Sequence, residues 1–497
     1  LETAAPLPLP PSPMPAPHTP RLPPAAASDA AVAVAESPAI APAPAEPKKI
    51  WRVGTLTYTT GGLIVLFCWL LFGDFAWSMR DRSVGPMAHW YLNHLKVPNY
   101  LFALLLGSFP ALISVVLSPI ISVKSDRCRS RWGRRIPFLL VTTPIAALGM
   151  IGVAITPIIA RWTHTNLFPE QNEMVVAVVC FGIFWAAFEF ATIAGHSVFG
   201  GLINDVVPRP LLGRFYGLFR AVSLIDGVIF NYWIMGKVPD HFTLILTIIG
   251  VFYGTAFLWV CFKVKEGTYP PPPPPAPAAK AGQKAGGFFR ETKRYCKECF
   301  TNPYYLAIFL LLKIALMSFG PINMFAIPYA RSLGVSMDTY GKCVSLSFVI
   351  SLCLTWFLGW AADVFHPLRM AIGSLAAYLL LMILGVCCVS TANGFLAAWV
   401  AHSVISGCYY TSAASLAQRL FPRGRFAQFS SAVGIFTAAA SITFSPLVGL
   451  LIDRTGGVYR YTFVVAAVVT TLALVAGFYV HGKFMKLGGP KNYVPPE

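Results

Sequence analysis

Five ionisable residues lie inside stretches otherwise apolar enough to cross a bilayer: Asp74, Glu189, Arg220, Asp226 and Lys313. A charge in hydrocarbon costs about 2.5–3.5 kcal/mol on insertion scales, so each needs a functional or a pairing reason. Glu189 lies near the middle of its stretch, and a carboxyl held away from water can load and release a proton as access to it alternates. Its other reading is a fixed ion pair with Arg220. The fork of donors on Arg220 suits vicinal hydroxyls. Asp226 follows Arg220 by six positions, whereas a shared helix face needs three or four, so its partner is expected from another helix, with Lys313 as the structural or coupling charge pair. Asp74, in Phe72-Gly-Asp-Phe-Ala-Trp77, falls toward the outer end of the first apolar stretch. There it either binds solute or is an exposed interfacial charge near Arg80. His196 is either a solute ligand or a hydrogen-bonded interior histidine. Trp77, Trp185, Trp233, Tyr409 and Tyr410 offer rings for stacking or for packing.

The stretches that must position these groups define the class. The chain has 497 residues, 56% hydrophobic and 12% charged, a balance that excludes one soluble domain. Against the roughly 20 residues a helix needs to span a bilayer, apolar runs fall near 54–79, 99–123, 136–160, 174–204, 213–236, 241–264, 303–330, 339–364, 367–390, 394–419, 426–452 and 459–483. The expected architecture is an all-α membrane protein of twelve spanning helices. An Ala/Pro-rich disordered tail (1–47) precedes a six-helix half (48–264). A linker with a Pro run (265–302), a second six-helix half (303–484) and a tail (485–497) follow. Lys and Arg gather in alternate loops, which places both termini in the cytoplasm and explains the net charge of +18 without nucleic acid. Cys296-x-x-Cys299 lacks a second pair at zinc spacing, so no metal is expected. No cluster at catalytic spacing marks an enzyme.

The densest loop joins the second and third runs: Ser125-Asp126-Arg127-Cys-Arg-Ser-Arg-Trp-Gly133-Arg134-Arg135-Ile-Pro137-Phe. A topology anchor needs the basic residues but has no use for a fixed Asp126, Gly133 and Pro137. A weaker echo, Gly359-Trp-Ala-Ala-Asp363 through Arg369, stands at the matching place in the second half. Phe421-Pro-Arg-Gly-Arg-Phe426 likewise echoes Val207-Pro-Arg-Pro-Leu-Leu-Gly-Arg-Phe215. Together these indicate an internal duplication. The loop is expected to act as a conformational latch at the cytoplasmic mouth, through Asp126, Arg127, Gly133, Arg134 and Arg135 on one side and Asp363 and Arg369 on the other.

The loop resembles the G-x-x-x-D-R-x-G-R-R signature of the major facilitator superfamily. Its longer form is similar to that of the branch holding glycoside–pentoside–hexuronide:cation symporters and plant sucrose transporters. That resemblance implies two pseudo-symmetric halves with a midplane site, and proton-coupled symport of a small glycoside, a disaccharide such as sucrose or maltose, by alternating access. It assigns the proton to Glu189 and sugar binding to Arg220, Asp74 and His196, to which Trp77 is expected to add a ring for stacking. Ser114, Leu117 and Ser118 precede Pro119 where melibiose symporters carry carboxylates, so sodium coupling is not expected. Gly200 replaces an Arg of the sucrose transporters, a departure that bears on sucrose itself. The remaining expectations are a multi-pass protein of the plasma membrane, or the inner membrane if bacterial, acting as a monomer on a small sugar. An exporter or antiporter of a non-sugar solute and a non-transporting sugar sensor are the alternatives.

Overall fold

The computed structural model describes residues 50–269, 271, 300–413, 416–422 and 426–496. The Ala/Pro-rich tail, nearly all of the Pro run, Cys296, Cys299 and the side chain of Asp363 lie outside the described residues.

A short antiparallel hairpin, β1 (Ile50–Val53) and β2 (Leu56–Thr59), precedes the first helix. Residues 54–59, expected as the start of that helix, therefore belong to the hairpin instead. Thr59 then caps α1 (Thr60–His94), its side chain accepting from the Gly62 N–H at 3.2 Å. The first half continues with α2 (Asn99–Arg127), α3 (Ile136–Asn166), α4 (Glu173–Val206), α5 (Leu212–Ile229) and α6 (Val238–Lys263). The second holds α7 (Pro303–Ser332), α8 (Met337–Phe365), α9 (Pro367–Cys388), α10 (Ala392–Ala413), α11 (Phe426–Arg454) and α12 (Tyr461–Lys486).

Ten described segments are long and apolar enough to cross a membrane. One of them, Leu212–Lys263, has 52 residues, about 78 Å as one helix against a hydrocarbon core of about 30 Å. It is two spans, divided by a π-turn at Phe230–Ile234 and by non-helical angles at His241. α10 is absent from the ten because His402, Ser403, Ser406 and Thr411 dilute its apolar content.

The largest departure from expectation is the length of α1. The apolar run breaks at Arg80-Asp81-Arg82, yet the helix continues fourteen residues beyond Arg80, to His94. Asp74 is thus internal to the helix and buried at 4% exposure, not an interfacial charge.

Within the first half, α1 packs on α5 and α6, and α3 on α4 and α6; within the second, α9 packs on α10 and α12, and α7 on α12. The halves meet along two seams, α2 against α11 and α5 against α8, with α1 touching α7. Large apolar side chains such as Leu148, Ile183, Leu244, Leu380 and Val475 remain exposed on the outer faces, as lipid contact requires.

Polar contacts between the halves gather at the outer end. Asp453, in the last turn of α11, accepts from the Asn99 N–H at 3.0 Å, Asn99 Nδ2–H at 2.7 Å and the Tyr100 N–H at 2.9 Å. These groups form the N-terminus of α2, where a carboxylate also meets the positive end of the helix dipole. Tyr459 donates to Asn99 Oδ1 at 3.1 Å, and Arg331 to Asn93 Oδ1 at 2.9 Å. Gly449 makes the approach possible, since a Cβ there would lie 2.4 Å from the Asn99 carbonyl oxygen.

Candidate functional site

A cavity of about 580 Å³ lies between the halves, within the range of small-molecule sites. The first half contributes two cations, Arg82 from α1 and Arg220 from α5. Arg82 donates from Nη2 to Ser223 Oγ at 2.9 Å and lies 4.8 Å over the ring of Phe348. The second half contributes polar and aromatic groups, among them Asn323, Ser347, Trp399, Ser403, Ser406 and Tyr410. His402, 1% exposed, sits behind this wall. Its Nε2–H donates to Asn323 Oδ1 at 3.1 Å, which leaves Nδ1 to accept from the Tyr378 hydroxyl at 2.8 Å. The Asn323 carbonyl is thereby used, and its amide N–H groups are available to a solute. The buried Trp399 Nε1–H has no hydrogen-bond partner among the described residues.

Of the residues expected to hold solute, Arg220 lines this cavity and Asp74, His196 and Trp77 do not. Trp77 is enclosed by Phe199 at 5.2 Å, Phe257 at 5.3 Å and the Arg80 guanidinium at 3.9 Å, so no ring face is free for a sugar. His196 is exposed beside Trp77, with ring centroids 6.0 Å apart. Among the aromatic candidates Tyr410 faces the cavity. Tyr409 is buried and donates to the Leu311 carbonyl at 2.6 Å, and Trp185 donates to the Leu105 carbonyl at 3.0 Å.

The cation acting on Glu189 is Arg80, not Arg220. Arg80 is 1% exposed and held by Asp81 at 2.5 Å, by the Tyr253 hydroxyl at 3.2 Å and by the Trp77 ring. A cation buried this deeply needs such a set of partners. Neither Arg80 nor Arg82 was expected within a span, because three charges in succession mimic the end of an apolar run.

Asp226 and Lys313 are not brought together. Lys313 lies in a π-turn of α7, Leu310–Ile314, and lines a second cavity of about 550 Å³ with Ser114, Ser118, Thr437 and Ser441 from α2 and α11. Asp226 instead faces α1, where Asp74 and Arg82 are the ionisable groups acting on it. The two helices lie on different walls, and the rotational phase that separates them is invisible to residue counting.

At the cytoplasmic mouth the signature loop is tied inside its own half. Arg135 Nη2 meets Asp126 at 2.5 Å, Arg135 Nε meets Asp205 at 3.2 Å, and Arg134 pairs with Asp205 through both Nε and Nη2. The Asp205 hydrogen bond holds the Arg134 proton more tightly than usual. Glu266 accepts from three successive backbone N–H groups, Arg134 at 2.9 Å, Arg135 at 2.8 Å and Ile136 at 2.7 Å, capping the N-terminus of α3. Gly133 adopts φ +107°, a conformation that favours glycine. Arg127 and Arg369 are exposed, and Arg369 contacts Met485 Sδ at 3.9 Å. Each of these ion pairs and caps lies within the first half or its adjoining linker.

Two six-helix halves around a midplane cavity, joined by polar contacts at the outer end, are the architecture of a multi-pass membrane transporter. Residues 69–450, over three quarters of the chain, match the family model described as MFS/sugar transport protein, and the chain belongs to that family. It is similar to human proton-associated sugar transporter A, 37% identical over 82 residues, which cover 16% of this chain and 10% of that protein. Among solved structures, it is similar to a bacterial homologue of the human lysosomal transporter Spinster in an inward-facing, unoccupied conformation. That match has a TM-score of 0.61 and 14% identity, over 88% of this chain and 98% of the other. A D-xylose–proton symporter gives a TM-score of 0.58 at 14% identity, over 87% and 97%. At these identities the structural likeness concerns the fold.

Proposed function

We propose that the protein couples uptake of a small glycoside, of disaccharide size, to the inward movement of a proton. The observation that carries the reading is the asymmetry of the midplane cavity. Two guanidinium groups, Arg82 and Arg220, face a wall of hydroxyls, an oriented amide and the rings of Trp399 and Tyr410. Guanidinium forks and amides grip vicinal hydroxyls, and aromatic faces cover the apolar side of a pyranose. The similarity to human proton-associated sugar transporter A supports a sugar and a proton.

Glu189 is the proposed proton carrier. Beside the buried Arg80, it alternates between ion pair and neutral acid, and its neutral form removes a charge that the rocking halves would otherwise have to desolvate. The signature loop is the proposed latch, engaging the second half when the inner mouth closes. In proteoliposomes, Glu189→Gln is expected to exchange sugar at near wild-type rates and to lose uphill uptake driven by an imposed pH gradient. Uphill uptake at the wild-type level would remove Glu189 from the mechanism.

A further inference from the structure

We propose that Asp74 and Asp226 form a proton-binding site of their own, distinct from Glu189, and that Arg82 conveys its charge state to the solute cavity. Asp226 is fully buried and Asp74 is 4% exposed. Among the described residues neither oxygen of Asp226 has a hydrogen-bond partner, nor has Asp74 Oδ2; Asp74 Oδ1 accepts from Ser78 Oγ at a long 3.5 Å. An ionised carboxylate with no donor in a membrane interior is the least favourable state it can occupy. Asp74 is also the like charge acting on Asp226, which makes the doubly ionised pair the least favourable of its charge states. A proton from bulk hydronium resolves both conditions: it forms one O–H bond on a carboxylate oxygen, cancels one negative charge, and leaves a water molecule behind as the hydronium O–H bond breaks.

The surroundings decide how this site communicates. Asp74, Ser78 and Arg82 recur every four residues along α1 and share a face. Phe67 packs on Phe215 at 4.8 Å, a register that places Asp226 of α5 level with Ser78. The ionisable groups about the pair are Asp81 and Arg82 on α1 and Arg220 on α5, the last acting through Arg82. From α8 the neighbour is Phe348, against which the adjoining Gly227 packs so closely that a Cβ would lie 2.7 Å from the ring.

Two consequences follow from that geometry. Asp226 adjoins Gly227, which packs on α8 at the seam between the halves, so rocking them changes its access to water. Arg82 is bonded to Ser223, one turn before Asp226, and lines the solute cavity. Loss of the proton draws its guanidinium toward Asp226 and away from solute, so proton and solute are favoured together. The coupling role rests on the symport reading; the proton itself does not.

The test is infrared spectroscopy of the purified full-length protein at neutral pH without sugar, following the C=O stretch of protonated carboxylic acid. The wild type is expected to show such a band, with a component that Asp226→Asn removes, Asp74→Asn shifts or removes, and Glu189→Gln leaves in place. Coincident spectra for wild type and Asp226→Asn, or a band lost entirely in Glu189→Gln, would overturn the proposal. Should Asp226→Asn fail to fold, Asp74→Asn decides alone, a spectrum identical to wild type sinking the idea. Sugar binding to the same samples tests Arg82: its pH dependence is expected to flatten in Asp226→Asn, and an unchanged profile overturns the conveying role. Failure of pH-driven uptake by wild-type proteoliposomes would count against symport while leaving the infrared result intact.

Discussion

Arg220 and Arg82 are two guanidinium groups with unequal duties. Arg82 is anchored by Ser223 and by the Phe348 ring, whereas Arg220 is exposed to the cavity. Replacing the Arg220 fork by a point charge keeps the electrostatics and loses paired donation. Arg220→Lys is accordingly expected to raise the KM for sugar about tenfold, equivalent to one charge-assisted hydrogen bond of about 1.5 kcal/mol, with a smaller effect on turnover at saturation. Sugar uptake kinetics in proteoliposomes would show it; an unchanged KM would take Arg220 out of the binding set. At this scale the sequence exposed Glu189, Arg220 and Asp226, because a charge within an apolar run needs no structure to be noticed. It concealed Arg80 and Arg82, whose succession with Asp81 looks like the end of a helix. It also concealed His402, whose place behind Asn323 depends on the packing of α7 against α10.

The helices themselves were legible in number and approximate place, apart from the long extension of α1 to His94, since a bilayer demands length and apolarity and the loops between spans are short. What could not be read was their rotation. Asp226 faces α1 and Lys313 faces α2 and α11, so the expected pair is two separate features. The outer lock is a further element-scale feature that sequence did not reveal, because it needs the end of α11 beside the start of α2. Asp453 accepts three bonds there, and losing even one charge-assisted bond, about 1.5–3 kcal/mol, shifts the conformational equilibrium by more than tenfold. Asp453→Ala is expected to raise labelling of a cysteine placed at Ser403 by a membrane-impermeant maleimide applied from outside, by tenfold or more. No rise in labelling would show that the lock does not hold the outer gate.

Over the whole molecule, the two halves repeat the same framework with different chemistry. Counted from the matched Phe215 and Phe426, across a turn shortened in the second half, the position of Glu189 falls at Ser403 and that of Asp226 at Thr437; both line cavities as hydroxyls. The duplication was visible in the echoed loops, and the division of labour follows from which copy retained its charges. Asp74, Arg80, Asp81, Arg82, Glu189, Arg220 and Asp226 all belong to the first half, against Lys313 within the spans of the second. Those seven groups are four acids and three arginines, so the charge the first half carries through the field is set by how many protons its acids hold. Each elementary charge carried across the field is worth about 2.3 kcal/mol per 100 mV, so every proton loaded there changes the electrical work of rocking. Voltage steps applied without sugar are expected to evoke transient currents that shrink in Glu189→Gln and in Asp226→Asn, and that reverse sign between depolarisation and repolarisation.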